Sequence, residues 1–220
     1  MSGRPQPAAL LLALILCACA GLPPVVPDPA AGDAVDPGRI YPQRSWQLLH
    51  ALRASMPDGR DLGMLGLTVV SSTARSQHSV LMTLEGFVVF DGEYDQGRLT
   101  VHRALPPFDS PHFAAGLMED IRLVFLAPEG PVIEAGRLQD GGEVRRVRTA
   151  DGATVDIETL PGGDWRIRRY DPSGNLTRTV RGRHGRADRA GFPETIQLTA
   201  AGGQGYEIVM TLLEAVPIDG

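Results

Sequence analysis

Ser79–Val101 (SVLMTLEGFVVFDGEYDQGRLTV) and the segment that follows it, Leu105–Leu123 (LPPFDSPHFAAGLMEDIRL), decide the fold. In the first stretch Val80, Met82, Leu84, Val88 and Phe90 share one parity across Gly86. That alternation belongs to half-buried strands, with a bulge or tight bend at the glycine. Asp95-Gln96-Gly97 supplies a turn, and Leu99 and Val101 then continue with Arg98, Thr100 and His102 on the opposite face. In the second stretch Pro106-Pro107 breaks the strands. Ser110 stands where an N-cap belongs, and Pro111 takes the first helical position, where a missing N–H costs nothing. Phe113, Leu117, Ile121, Val124 and Phe125 then recur at helical spacing until Pro128, with Glu119, Asp120 and Arg122 off that stripe, on the solvated side.

The same reading extends outward. Ser45–Met56 is expected to be helical, because Trp46, Leu49, Leu52 and Ala54 lie near one face and Pro57-Asp58-Gly59 ends the run. Leu65, Leu67 and Val69 alternate as in a strand. Asp151-Gly152 is a hairpin signal between Val144–Val147 and Val155–Ile157. Trp165 and Ile167 alternate with Arg166 and Arg168, Asp171–Asn175 forms a turn, and Leu176–Val180 resumes a strand. Ile196 and Leu198, and then Tyr206, Ile208, Met210 and Leu212, mark the last strands. About nine to eleven strands and two to three helices result. The expected class is mainly β (α+β): a curled antiparallel sheet, one face apolar, with helices covering that concave face. An integral outer-membrane barrel is excluded, because aromatic residues make up only 5% of the chain and cannot form the girdles such barrels need.

The chain has 220 residues, of which 43% are hydrophobic, enough to bury one core. Its formal charge of −5 argues against a general nucleic-acid binder. All 21 basic residues are arginine, so chemistry that needs a lysine, such as a Schiff base or a Walker loop, is excluded. From Arg137 to Arg189 there are 12 arginines against 8 acids. These could face anionic headgroups, but alternating arginines that solvate the outer faces of strands are the simpler reading. The two cysteines, Cys17 and Cys19, leave no basis for a disulfide framework or a cysteine-ligated zinc.

Both cysteines follow Ala8–Leu16 (AALLLALIL), an apolar run behind Arg4 that has the form of a signal peptide. The run is too short for a membrane span, which takes about 20 apolar residues. Leu16-Cys17-Ala18-Cys19 resembles the bacterial lipobox. The resemblance implies residues 1–18 as a cleaved signal and Cys19 as the acylated mature N-terminus. Ala20 in the following position resembles outer-membrane rather than inner-membrane sorting. Residues 19–42, rich in Pro, Gly and Ala, read as a tether. Residues 43–220 form the domain.

No catalytic or metal constellation emerges. His50, His78, His102, His112 and His184 stand apart, and none forms an H-E-x-x-H pattern. Asp91–His102 departs from a calcium loop at Gln96 and His102. There is no G-x-S-x-G elbow and no phosphate-cradling glycine loop. The expectation is a protein that is not an enzyme, with no cofactor, no metal and no catalytic residue.

In layout the chain resembles the LolA/LolB-like half-barrel proteins. The likeness is carried by Ser79–Val101 with LPPFDSPHFAAGLMEDIRL, together with Trp46–Met56, Met64–Val101 and the closing strands at Trp165–Tyr170, Phe192–Thr199 and Tyr206–Leu213. It implies an incompletely closed sheet around an apolar cavity that takes acyl chains. The candidate lining is Met82, Leu84, Val88, Phe90, Leu99, Val101, Trp165, Ile167, Leu198, Ile208 and Met210, with Leu117, Ile121 and Phe125 facing them from the lid. For any one of them ordinary core is the simpler reading. One departure is that Ser71–His78 (SSTARSQH) is polar where the LolB receptor has a hydrophobic loop. The implied role is an outer-membrane-anchored lipoprotein on the periplasmic face, attached through its N-terminal lipid. It would bind acyl chains or lipidated cargo and assist lipid or lipoprotein transfer, with no nucleic-acid partner. The alternative is a structural lipoprotein docking onto an envelope complex through an unknown protein partner. Metabolic labelling with a radioactive fatty acid is expected to label the wild-type chain and not Cys19→Ser.

Overall fold

The computed structural model describes residues 21–28, 30, 35–56, 58–185, 191–202 and 205–218. The signal segment 1–18 and Cys19 lie outside the described residues. Thirteen strands among the described residues form one antiparallel sheet: β1 (Val26–Pro27), β2 (Trp46–Ser55), β3 (Asp61–Ser71), β4 (Ser76–Met82), β5 (Val88–Asp95), β6 (Arg98–Ala104), β7 (Val132–Arg137), β8 (Glu143–Arg148), β9 (Thr154–Thr159), β10 (Trp165–Tyr170), β11 (Leu176–Arg183), β12 (Thr195–Ala200) and β13 (Glu207–Pro217). Their order is β1-β7-β8-β9-β10-β11-β12-β13-β2-β3-β4-β5-β6, so the sheet curls without closing. One α-helix is present among the described residues, α1 (Pro111–Phe125), with a single 3-10 turn at Pro37–Arg39. The expected second and third helices are not found among the described residues.

The main correction concerns Ser45–Met56, which is strand β2 and not a helix. The segment WQLLHALRAS carries two periods at once. Trp46, Leu48, His50 and Ala54 are buried at a spacing of two, and this row faces the core. The strand pairs with β13 on one side and β3 on the other over nearly its whole length. Two ladders of backbone bonds satisfy far more polar groups than an isolated amphipathic helix could, so tertiary pairing overrides the local pattern.

Helix α1 starts at Pro111 as expected, although the Ser110 hydroxyl makes no capping bond. It lies over the inner face of the sheet. Ala114 and Met118 pack with Leu81, Phe90 and Phe108 in one core cluster. Leu123, Val124 and Phe125 join a larger cluster with Leu48, Ile157, Trp165, Ile167, Val180 and Leu198. Gly92 makes room for this arrangement, since a Cβ there would come within 2.7 Å of the Phe90 ring.

Part of the segment read as a tether belongs to the domain. Val35, Ile40 and Tyr41 are buried in the larger cluster. Further upstream, Val26 and Pro27 pair with Arg137 and Gly136. A side chain at Gly136 would strike the Val26 carbonyl, which is 2.0 Å from the Cβ position. The carbonyl of Pro23 accepts a hydrogen bond from Arg146 Nη2 at 2.9 Å. The proline-rich stretch is therefore strapped to the sheet. Prolines suit this place, because an edge strand can spare the missing N–H groups.

The arginines of the second half do more than solvate strand faces. Arg146 is buried, with Nε 2.6 Å from Asp156 Oδ1, and it also pairs with Glu134. Arg166 Nε and Arg168 Nε each lie 2.6 Å from Glu158 oxygens. Asp156 and Glu158 are fully buried. Burial pushes the Glu158 carboxyl above the usual carboxylate range, and the two guanidinium groups oppose that shift. Removing one member of such a ladder leaves uncompensated buried charge. Arg146→Ala is expected to lower unfolding free energy in urea by about 3–5 kcal/mol, and Arg146→Met combined with Asp156→Leu to recover most of it.

Candidate functional site

A cavity of about 320 Å³ lies between α1 and the inner face of the sheet. The inward rows of four central strands build its floor: His50, Leu52 and Ala54 of β2, Leu62, Met64, Gly66 and Thr68 of β3, Leu198 of β12, and Ile208 and Met210 of β13. Leu81 of β4 adds to one side. The roof is the underside of α1, with Phe113, Gly116, Leu117, Ile121, Val124 and Phe125. Gly66 sets the width of the floor, since a Cβ there would approach Leu52 Cδ1 to 2.9 Å.

Six of the fourteen residues named as candidate lining meet here: Leu117, Ile121, Phe125, Leu198, Ile208 and Met210. The other eight do not, and the strand parity explains most of them. On β4 the inward residues are Gln77, Ser79 and Leu81, so Met82 faces outward. A bulge opposite Leu81/Met82 changes the register, so that Phe90 points inward while Val88 does not share its face. Phe90 is fully buried, but it fills the smaller core beneath Met118 and does not line open space. Leu84 sits in the β4–β5 hairpin and is 66% exposed. Leu99 packs beside the smaller cluster, and Val101 is exposed on the edge strand β6. Trp165 and Ile167 are buried in the larger core cluster on β10, away from this cavity.

Three linked polar side chains outside the candidate lining also face the cavity. Asp120 is 4% exposed, not on the solvated side of the helix. Its Oδ1 accepts from Arg178 Nε at 2.7 Å, and its Oδ2 accepts from the Tyr206 hydroxyl. Arg178 lies on β11 in the inward row with Val180 and Gly182. Burial pushes the Asp120 carboxyl up, while the Arg178 guanidinium and the Tyr206 hydroxyl pull it back. The Tyr206 phenol is raised as well, first by burial and then by the Asp120 charge. The pattern Asp120…Arg178…Tyr206 spans 86 positions, and no local periodicity signals such a pairing.

Three further contacts hold the helix. Gln77 Nε2 donates to the Met118 carbonyl at 3.1 Å, Arg169 Nη2 lies 2.7 Å from Glu119, and the Arg122 guanidinium sits 4.0 Å from the Tyr94 ring centroid. His78 and His102 pair with Asp91 and Glu93 on the exposed outer face. Among the described residues no group of three or more His, Cys, Asp or Glu side chains could hold a metal. Among them, too, no helix is long and apolar enough to cross a membrane.

Two histidines line the cavity, His112 exposed at the start of α1 and His50 buried, 5.7 Å from the Phe125 ring centroid. Burial lowers its pKa from 6.5 to about 4, so it is neutral at neutral pH. The unfolded chain binds this proton first, so His50 favours the fold above pH 6.5 and loses that contribution as pH falls to about 4. The loss amounts to about 3 kcal/mol.

No family model matches the chain, and no curated protein matches it in sequence. Solved structures do match. A LolA superfamily protein from Nitrosomonas europaea aligns over 89% of this chain and 95% of its own, with TM-score 0.56 and 14% identity. A putative outer membrane lipoprotein-sorting protein domain from Vibrio parahaemolyticus aligns over 87% and 92%, with TM-score 0.49 and 9% identity. The chain therefore has the LolA/LolB-like fold that its layout resembles. Stability followed by urea denaturation between pH 7 and pH 4 is expected to fall less steeply in His50→Gln than in the wild type.

Proposed function

We propose that this protein is a non-enzymatic lipoprotein of the bacterial outer membrane. On the periplasmic face it binds one acyl chain of a lipid or lipidated protein during its transfer. The observation that carries the reading is the apolar cavity under α1. A floor of Leu, Ile, Met and Ala with a roof of Phe, Leu and Ile offers an acyl chain what water does not, and leaves no unsatisfied polar group along most of its length. The LolA/LolB-like fold supports the same reading, because that fold leaves the inner face of its sheet open to such a chain.

A cavity of about 320 Å³ is in the size range of a pocket for one small apolar ligand, so a single acyl chain is the cargo it suits. Beside the cavity, the β4–β5 hairpin presents Leu84 and Phe87, which are 66% and 70% exposed. Leu84 Cδ1 lies 3.6 Å from the Cβ position of Gly63, on the face of β3 opposite to Leu62 and Met64 of the cavity wall. This hairpin, and not the polar Ser72–Arg75 turn, is the apolar surface that would meet a bilayer or a cargo protein.

Native mass spectrometry of the full chain purified without detergent is expected to show one bound fatty acid or phospholipid, or uptake of one equivalent of lauric acid. Leu117→Glu, which brings a charge into the roof from a half-buried helical position, is expected to weaken laurate binding at least tenfold with the urea midpoint nearly unchanged. A chain that folds normally and takes up no acyl ligand sinks the reading.

A further inference from the structure

Of the four buried side-chain polar atoms without a hydrogen-bond partner among the described residues, two line one cavity: the Tyr41 hydroxyl and Trp165 Nε1. Tyr41 is 3% exposed and Trp165 is 2% exposed. A buried donor without a partner is costly, and a native structure rarely holds two in one place without a use for them. Both line a second cavity, of about 460 Å³, distinct from the first. It lies where the chain enters the domain, against the Gly182 end of β11, four residues beyond the Arg178 that lines the first cavity.

The walls of this second cavity are aromatic and its charge is positive. Trp46 and Phe192 meet edge to face at 5.0 Å, beside Tyr41 and Trp165. Arg39 and Arg44 also line it, and the Arg44 guanidinium sits 5.4 Å from the Trp46 ring centroid. Among the described residues neither arginine makes an ion pair, and the lining includes no carboxylate. The indole is held in place from below. Gly182 lies directly under it, with Trp165 Cε2 2.1 Å from the Cβ position. Trp165 therefore occupies a slot that only a glycine opposite allows.

We infer that this cavity is a binding site for an organic anion, a carboxylate or phosphate carried on a flat apolar body. The indole N–H donates only, and a phenol buried beside it is free to donate, so the missing partner is an acceptor. Two unpaired guanidinium groups select an acceptor with negative charge. Aromatic faces on several sides take the flat body.

The chain has only two tryptophans, and both line this cavity, so intrinsic fluorescence reports on it directly. In titrations of the full chain, benzoate and phenyl phosphate are expected to give saturable changes, and whichever binds more tightly identifies the acceptor. Benzyl alcohol, the neutral match, is expected to give none at the same concentrations. Inorganic phosphate is expected to bind at least tenfold more weakly than phenyl phosphate. Tyr41→Phe is expected to weaken the anion about tenfold while the free protein becomes no less stable, because the variant removes an unpaired buried hydroxyl. A merely structural tyrosine would show the reverse. Arg39→Ala with Arg44→Ala is expected to weaken both anions more than tenfold, and Leu117→Glu to leave them unchanged. No saturable response to either anion at millimolar concentration, an equal response to benzyl alcohol, or equal affinity for inorganic phosphate overturns the proposal.

Discussion

The structure depends on one constraint of coverage. Thirteen strands spaced about 4.8 Å apart would span nearly 60 Å if laid flat. A helix of 15 residues is about 22 Å long and about 10 Å across, so it can cover only a few of those strands. The sheet must bury the rest of its inner face against itself. It does so by curling, with the closing residues Val35, Ile40 and Tyr41 filling one end. Where the helix bridges the curl without touching the floor, space remains. The cavity is the residue of that mismatch, and its volume is set by how high α1 rides.

The height of α1 is fixed by polar contacts. Asp120 reaches across to Arg178 and Tyr206, Glu119 to Arg169, and the Met118 carbonyl to Gln77. These anchors come from β4, β10, β11 and Tyr206, the residue just before β13. A fully apolar underside would be drawn down onto Leu52, Met64 and Met210 and close the space. A buried ion pair is a weak source of stability, because desolvation offsets much of its attraction. Here its geometric effect matters more: the carboxylate and guanidinium must stay within hydrogen-bond distance, and that separation keeps the helix off the floor. The same group gives the cavity its single polar end.

Much of this was legible in the chain. The helix at Pro111, the hairpin at Asp151-Gly152, the DPSGN turn and the alternation at Ile196–Met210 all follow from local chemistry, and the observed elements sit on them. The failures share a cause. Trp46–Ser55 has an apolar pattern compatible with either period, and only its partners β13 and β3 decide between them. Met82 and Val88 were placed on the Phe90 face because a bulge is silent in parity arguments: one extra residue reverses every side chain beyond it. Asp120 read as solvated because a carboxylate off the apolar stripe usually is. Its partners, 58 and 86 residues away, have no sequence signature.

The outer face follows a different logic with a consequence for orientation. Asp156 and Glu158 lie between Arg146, Arg166 and Arg168 on the convex side of β8, β9 and β10, and the 21–28 segment crosses that region through the Pro23 carbonyl and the β1–β7 pairing. An acyl group on Cys19 would then be separated from a fixed point at Pro23 by four residues, at most about 14 Å of extended chain. A tether of some twenty residues would let the domain range freely. With the proposed acyl group on Cys19, a leash of four would hold the β1–β7 edge next to the bilayer. Arg137, ion-paired on that edge with Asp28 and Glu143, would sit near the lipid headgroups. On that proposal anchoring and ladder are coupled: breaking the Arg146 cluster would also loosen the strap that would set how the domain faces the membrane.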